Sequence, residues 1–231
     1  MSAPTGIHQR PSPSGGLPSS AVAGAFTSIL FLVGFGLLAK LPSPDASGAE
    51  VVRYLADHRD RIFIAACLIG VAAALFTSFM GALAAYLRSE TGNEQALPAV
   101  LAGLAGVILV VLALALLAGL VVHLGHADER QVALAFDVYN SLITIAGFFF
   151  AAFVGAAAIA GVKAGRLSAR YLQTGCVVAL LQLATVPGLW VTRGVLAAGG
   201  LMAIVAFSAL SLWFIAVALR MARESRRGAT G

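Results

Sequence analysis

The chain has 231 residues, 60% of them hydrophobic and 11% charged, with a mean hydropathy of +0.94. Soluble domains carry about 25% charged residues, so these values exclude one and point to a polytopic membrane protein. The net charge of +5 would suit nucleic acid, but the basic residues flank apolar runs, so they read as topology signals and no nucleic-acid partner is expected. The thirteen arginines against two lysines, with abundant Ala and Gly, are the coding habit of a high-GC bacterial genome.

Residues 1–20, MSAPTGIHQRPSPSGGLPSS, hold four of the eight prolines and five serines. Such a composition cannot bury a core and predicts a disordered tail. The apolar run that follows is longer than the core of a signal peptide and reads as an uncleaved first span. Six spans are expected, at about 21–39, 62–86, 98–122, 141–162, 171–189 and 196–219, none containing Asp, Glu, Lys, Arg or His. Together they make a transmembrane domain over residues 21–220, followed by a basic tail over 221–231.

Between the first two spans, KLPSPDASGAEVVRYLADHRDR carries its own helix signal. Ser47 and Glu50 have the spacing of a capping box, in which each side chain meets a backbone N–H of the first turn. Val51, Val52, Tyr54 and Leu55 then give one apolar face, with Arg53, Asp57, Arg59 and Asp60 on the rest. That pattern predicts an amphipathic helix lying on the membrane surface. The expected fold is therefore all-α, a six-helix membrane bundle with an interfacial helix.

Positive residues favour the cytoplasmic side of short loops. With the N-terminus inside, nine basic residues fall inside and six outside. The clusters at 163–170 and 220–227 are both inside, so both termini are expected in the cytoplasm of a cell (inner) membrane protein.

The fourth span, ITIAGFFFAAFVGAAAIAG, places Gly147, Ala151 and Gly155 four residues apart, a small-residue stripe for close helix packing. Phe148, Phe149, Phe150 and Phe153 flank it, some facing lipid, and Ala102 and Gly106 repeat the spacing in the third span. Cys67 and Cys176 fall near opposite ends of their spans, too far apart for a disulfide, and read as buried structural thiols. At depth within the spans the polar groups are Thr27, Ser28, Thr77, Ser78, Thr144, Gln182, Thr185, Ser208 and Ser211. Hydroxyls and one amide serve as interhelical glue, and the lack of ionisable groups at depth argues against proton-driven transport.

Residues 123–140, HLGHADERQVALAFDVYN, are the most polar stretch between spans. His123 and His126 would share a helix face, but a zinc site needs three or four ligands in fixed geometry, so neither metal nor cofactor is expected. Asp128 and Gln131 form a second capping-box pattern, starting a helix at Glu129 that would run to about residue 162. Asp137, Asn140, Ser141 and Thr144 continue upward from the Gly147 stripe, which places Asp137 and Asn140 toward the bundle at a small outward pocket. An acid half-buried there suits general acid catalysis, with Tyr139, Asn140, His123 or His126 assisting.

The segments PSPDASGAEVVRYLADHRDR, GALAAYLR and AFDVYNSLITIAGFFFAAFVGAAAIAGVKAGRLSARYL resemble a group of uncharacterised six-helix integral membrane proteins of high-GC bacteria, grouped under a domain of unknown function. The likeness covers most of residues 21–220. It departs at Ser168, Ala169, Arg170 and Tyr171, where that group tends to show a Pro-Trp pair. The resemblance implies a fold and topology and carries no activity. Three functions remain open: a binding or accessory membrane protein, a small enzyme acting on an isoprenoid or lipid (cyclisation, isomerisation or hydration), and an uncoupled transporter of an apolar solute. The partners they admit are the lipid bilayer, a lipophilic small molecule and a membrane protein partner.

Overall fold

Two local signals set where helices begin. In the computed structural model of the chain, which describes residues 17–88, 94 and 96–228, both capping patterns are formed. Ser47 Oγ accepts from Glu50 N at 3.3 Å while Glu50 Oε2 accepts from Ser47 N at 2.8 Å. Asp128 Oδ1 accepts from Gln131 N at 2.8 Å, and Gln131 Oε1 from Asp128 N at 3.4 Å. Each pair satisfies first-turn donors that a helix leaves unbonded. They open α2 (Gly48–Asp57) and α5 (Glu129–Lys163).

The remaining helices are α1 (Leu17–Leu38), α3 (Arg59–Leu87), α4 (Ala96–His123), α6 (Ala169–Leu183) and α7 (Leu201–Gly228), with a short 3-10 turn at Val186–Leu189. No strand occurs among the described residues. Five helical segments are long and apolar enough to cross a membrane: Arg59–Leu87, Ala96–His123, Glu129–Lys163, Ala169–Leu189 and Leu201–Ser225. α1 is apolar as well and contributes a shorter stretch, Val22–Leu38.

Packing closes six of these helices into a ring, α1 on α3, α3 on α4, α4 on α5, α5 on α6, α6 on α7 and α7 back on α1. Small residues let them approach. A Cβ on Gly24 would lie 2.5 Å from the Phe79 ring, and one on Gly106 would lie 3.0 Å from the Phe150 ring. Inside the ring, Phe31, Phe76, Phe79, Phe153 and Phe214 form one buried aromatic cluster drawn from α1, α3, α5 and α7. Phe148 and Phe149, 42% and 37% exposed, point outward.

α5 has 35 residues, or about 52 Å at 1.5 Å per residue, against about 30 Å of hydrocarbon. Its first turns therefore extend past any bilayer that its remaining turns cross, and α2 packs on α5. Val51 and Leu55 of α2 are buried, 1% and 0% exposed, while Glu50, Arg53 and Asp57 are exposed. The approach is close at Gly48, where a Cβ would lie 2.3 Å from the Glu129 carbonyl oxygen.

Two sequence expectations change. The helix expected from residue 196 starts at Leu201, because Gly199 adopts φ 74 and the chain over 194–200 is tied by turns, Gly200 N donating to Ala197 O at 2.8 Å. Apolar composition alone could not separate that segment from a helix. Cys67 and Cys176 are free thiols but exposed on the outer surface of the bundle. The helical stretches 17–20 and 221–228 fall within the expected tails, whereas residues 1–16 and 229–231 lie outside the described residues.

Candidate functional site

The bundle has two unlike ends. One carries α2 and the loops α1–α2 and α6–α7; the other carries the start of α1 and the end of α7. At the α2 end a cavity of about 450 Å³ opens between α1, α5, α6 and α7. Part of its wall is aromatic: the rings of Phe35 and Phe207 lie 4.2 Å apart, and Phe31, 6.2 Å from Phe207, continues into the buried cluster.

Among the described residues no charged side chain lines the cavity. The polar side chains that line it are Ser43 at the roof and Tyr139, Asn140, Thr144, Gln182, Thr185 and Ser208 on the wall. Thr144 Oγ1 donates to Asn140 O at 2.9 Å, and Thr185 Oγ1 to Gln182 O at 2.7 Å. Those hydroxyl protons are used within the protein. Gln182, 4% exposed, donates from Nε2 to Ala206 O at 2.9 Å. That bond fixes the amide, and among the described residues no hydrogen bond reaches its Oε1, which remains as an acceptor. The Asn140 amide is held differently: its Nδ2 is buried without a partner. An unmet buried donor costs about 1–3 kcal/mol.

Gly147 brings these groups together. A Cβ there would lie 2.9 Å from Thr185 Oγ1 and 3.3 Å from Gln182 O. The small-residue stripe thus admits the polar end of α6 as well as a packed helix. Seven residues separate Asn140 from Gly147, so Gln182 lies about 10 Å deeper along α5.

The roof is made of the two loops. Ser43 Oγ donates to Thr192 O at 3.2 Å, and Arg193 Nε to Asp45 Oδ2 at 2.5 Å. Asp45 is also bonded by Ser43 Oγ. The Ser43 hydroxyl first, and the Arg193 guanidinium second, hold the Asp45 carboxyl below its ordinary range. Residues 194 and 197–200 turn inward and line the cavity. Irregular backbone at such a place is tolerated because it borders a cavity instead of lipid.

The sequence-derived candidates separate. Asn140 and Tyr139 line the cavity. Asp137 is exposed and does not, which corrects its expected position on the packed face. The stripe from Asp137 to Gly147 is real as helical geometry, but the neighbours of α5 change along its length. Near Gly147 the neighbour is α6, which ends at Leu183; higher up it is α2. Val132, Phe136 and Tyr139 are the buried positions of those upper turns. One residue is about 100° of helix, so Asp137 stands a quarter-turn away from Phe136. His123 ends α4 and His126 follows in a turn; both are exposed. Asp128 is engaged as the cap of α5. Among the described residues no group of three or more His, Cys, Asp and Glu could hold a metal ion.

Sequence reasoning assigned Gln182, Thr185 and Ser208 to helix–helix contacts. The usable signal was Gln182, an amide deep in an expected span, where Gln173 sits near the end of the same span. Comparison of the chain with protein-family models, curated proteins and solved structures finds no match.

Proposed function

We propose that this is a six-span membrane protein that binds an uncharged lipophilic small molecule in the cavity at its α2 end. The observation that carries this reading is the cavity wall, apolar with amides and hydroxyls and without a charged side chain. Ligand sites of 300–1,000 Å³ with a few convergent polar groups are the common form of small-molecule pocket. α1, though the shortest apolar stretch, closes the helix ring and is the sixth crossing. α2 lies along the membrane surface, its buried face on α5 and its charges outward. The basic residues between 163 and 170 and at 220–227 support an orientation with the opposite end, and both termini, in the cytoplasm. The resemblance to six-helix proteins of high-GC bacteria accords with a cell-membrane location.

Binding is favoured over catalysis by Asp137, whose side chain is exposed and outside the cavity. It is favoured over transport by the buried aromatic cluster of Phe31, Phe76, Phe79, Phe153 and Phe214, which fills the middle of the helix ring.

Equilibrium binding to the purified protein tests the reading with three pyrene-labelled chains of equal length: a methyl ether, a carboxylate and a quaternary ammonium. The ether should bind saturably. The two ions should bind roughly a hundredfold or more weaker, because an unpaired charge buried among neutral groups costs several kcal/mol. Ser208→Trp, which fills the cavity from α7, should remove saturable ether binding. Equal partitioning of all three probes, unaffected by Ser208→Trp, would contradict the proposal.

A further inference from the structure

The two amides of the cavity are not equivalent, and the difference specifies the occupant. Asn140 has a buried Nδ2 without a partner, and its amide turns about a broad, two-fold torsion. It can offer either a donor or an acceptor. Gln182 has no such freedom. Its Nε2 is committed to Ala206 O at 2.9 Å, and the residue is 4% exposed. The position of a Cβ on Gly147 would lie 3.7 Å from Gln182 Oε1, so this oxygen sits beside a residue that has no side chain to cover it. Both Gly147 and Gln182 line the cavity. The nearby threonines cannot supply a proton to it, since Thr144 and Thr185 each donate to a backbone carbonyl. Deep in the cavity the protein therefore presents a fixed acceptor.

We infer that the lipophilic molecule bound here carries a hydroxyl group, which donates to Gln182 Oε1 at the deep end of the cavity. A ketone, ether or quinone oxygen only accepts, and would leave Gln182 Oε1 opposed by a second lone pair. A hydroxyl also accepts, and Ser208, two residues beyond Ala206 on α7, brings a rotatable O–H to the same cavity. A carboxylic acid or amine would ionise near neutral pH and enter a site with no counter-charge. The class that remains is a long-chain or polycyclic alcohol. Its hydroxyl enters first and its apolar body lies along the upper cavity, past Thr144 toward Asn140.

This inference rests on the cavity being the binding site, and the test separates the two claims. Binding of the pyrene-labelled methyl ether is compared with that of the parent pyrene-labelled alcohol, which has the donor in place of the methyl group, and the comparison is repeated in Gln182→Met so that the methyl's own contribution cancels. A neutral hydrogen bond contributes about 0.5–1.5 kcal/mol net, so the alcohol should bind the wild-type protein about two- to thirteenfold tighter. In Gln182→Met, which keeps length and removes the acceptor, that preference should vanish while ether affinity stays within about twofold. Equal affinity of alcohol and ether for the wild-type protein would overturn the inference, whether or not Gln182→Met folds. So would a preference that survives in Gln182→Met. Saturable ether binding without an alcohol preference would leave the cavity as a site and remove its hydroxyl specificity, whereas absence of saturable binding by either probe would remove both.

Discussion

Phe153→Ala should destabilise the protein by about 3–5 kcal/mol, the range for truncating a fully buried aromatic ring. Phe153 is 0% exposed and touches rings on two other helices, Phe76 at 6.3 Å, Trp213 at 6.2 Å and Phe214 at 5.3 Å. Those neighbours are themselves 0–4% exposed, so they have little freedom to collapse into the space. In a bilayer the loss is chiefly one of packing, because lipid is as apolar as the core. Gly103 contributes to the same contact, since a Cβ there would lie 3.0 Å from the Phe153 ring. Phe148→Ala is the control. That side chain is 42% exposed and points away from the ring of helices, and its loss should change stability by about 0.5 kcal/mol or less. Reversible unfolding in mixed micelles measures both. Similar effects from the two substitutions would mean that the aromatic cluster does not hold the bundle.

Gly48→Val should detach α2. The added Cβ would meet the Glu129 carbonyl oxygen at 2.3 Å and its carbon at 2.8 Å, and backbone cannot step aside as a side-chain tip can. The start of α2 would have to lift from the start of α5, uncovering Val51 and Leu55. Burying such side chains is worth about 1.5–3 kcal/mol each, so the detached state forfeits a comparable sum. Hydrogen exchange of the α2 amides should accelerate by at least about tenfold, with the amides of α3 little changed. Gly119→Ala, where a Cβ meets nothing within 4 Å, should leave both unchanged. Unaltered protection of α2 in Gly48→Val would show that the helix is not docked on α5.

The α2–α5 contact also marks what a single sequence reveals. The starts of both helices were legible because a capping box is complete within four residues and needs no tertiary partner. The length of α5 followed from the same signal. The direction in which Asp137 points was not legible, because it depends on which helix lies beside α5 at that height. α6 stops near Gly147, and α2 takes over a quarter-turn away. The late start of α7 was hidden for a different reason. VLAAGG has the composition of a span, and only the glycine φ values and the turn bonds of 194–200 show it folding inward. The cavity itself joins Phe35, Asn140, Gln182 and Ser208, residues far apart in the chain. Their convergence is a property of the ring closing α1 on α7, which no local pattern encodes.

Photolabelling tests the central claim most directly. The protein, in lipid nanodiscs, is irradiated with a long-chain alcohol bearing a diazirine, and the labelled residues are mapped by mass spectrometry. Labelling competed by unlabelled alcohol should fall on the cavity wall, within residues 32–44, 139–150, 182–185 and 194–208. Competable labelling confined to the bundle's outer surface, around Ile108, Leu112 or Val177, would contradict a binding cavity at the α2 end.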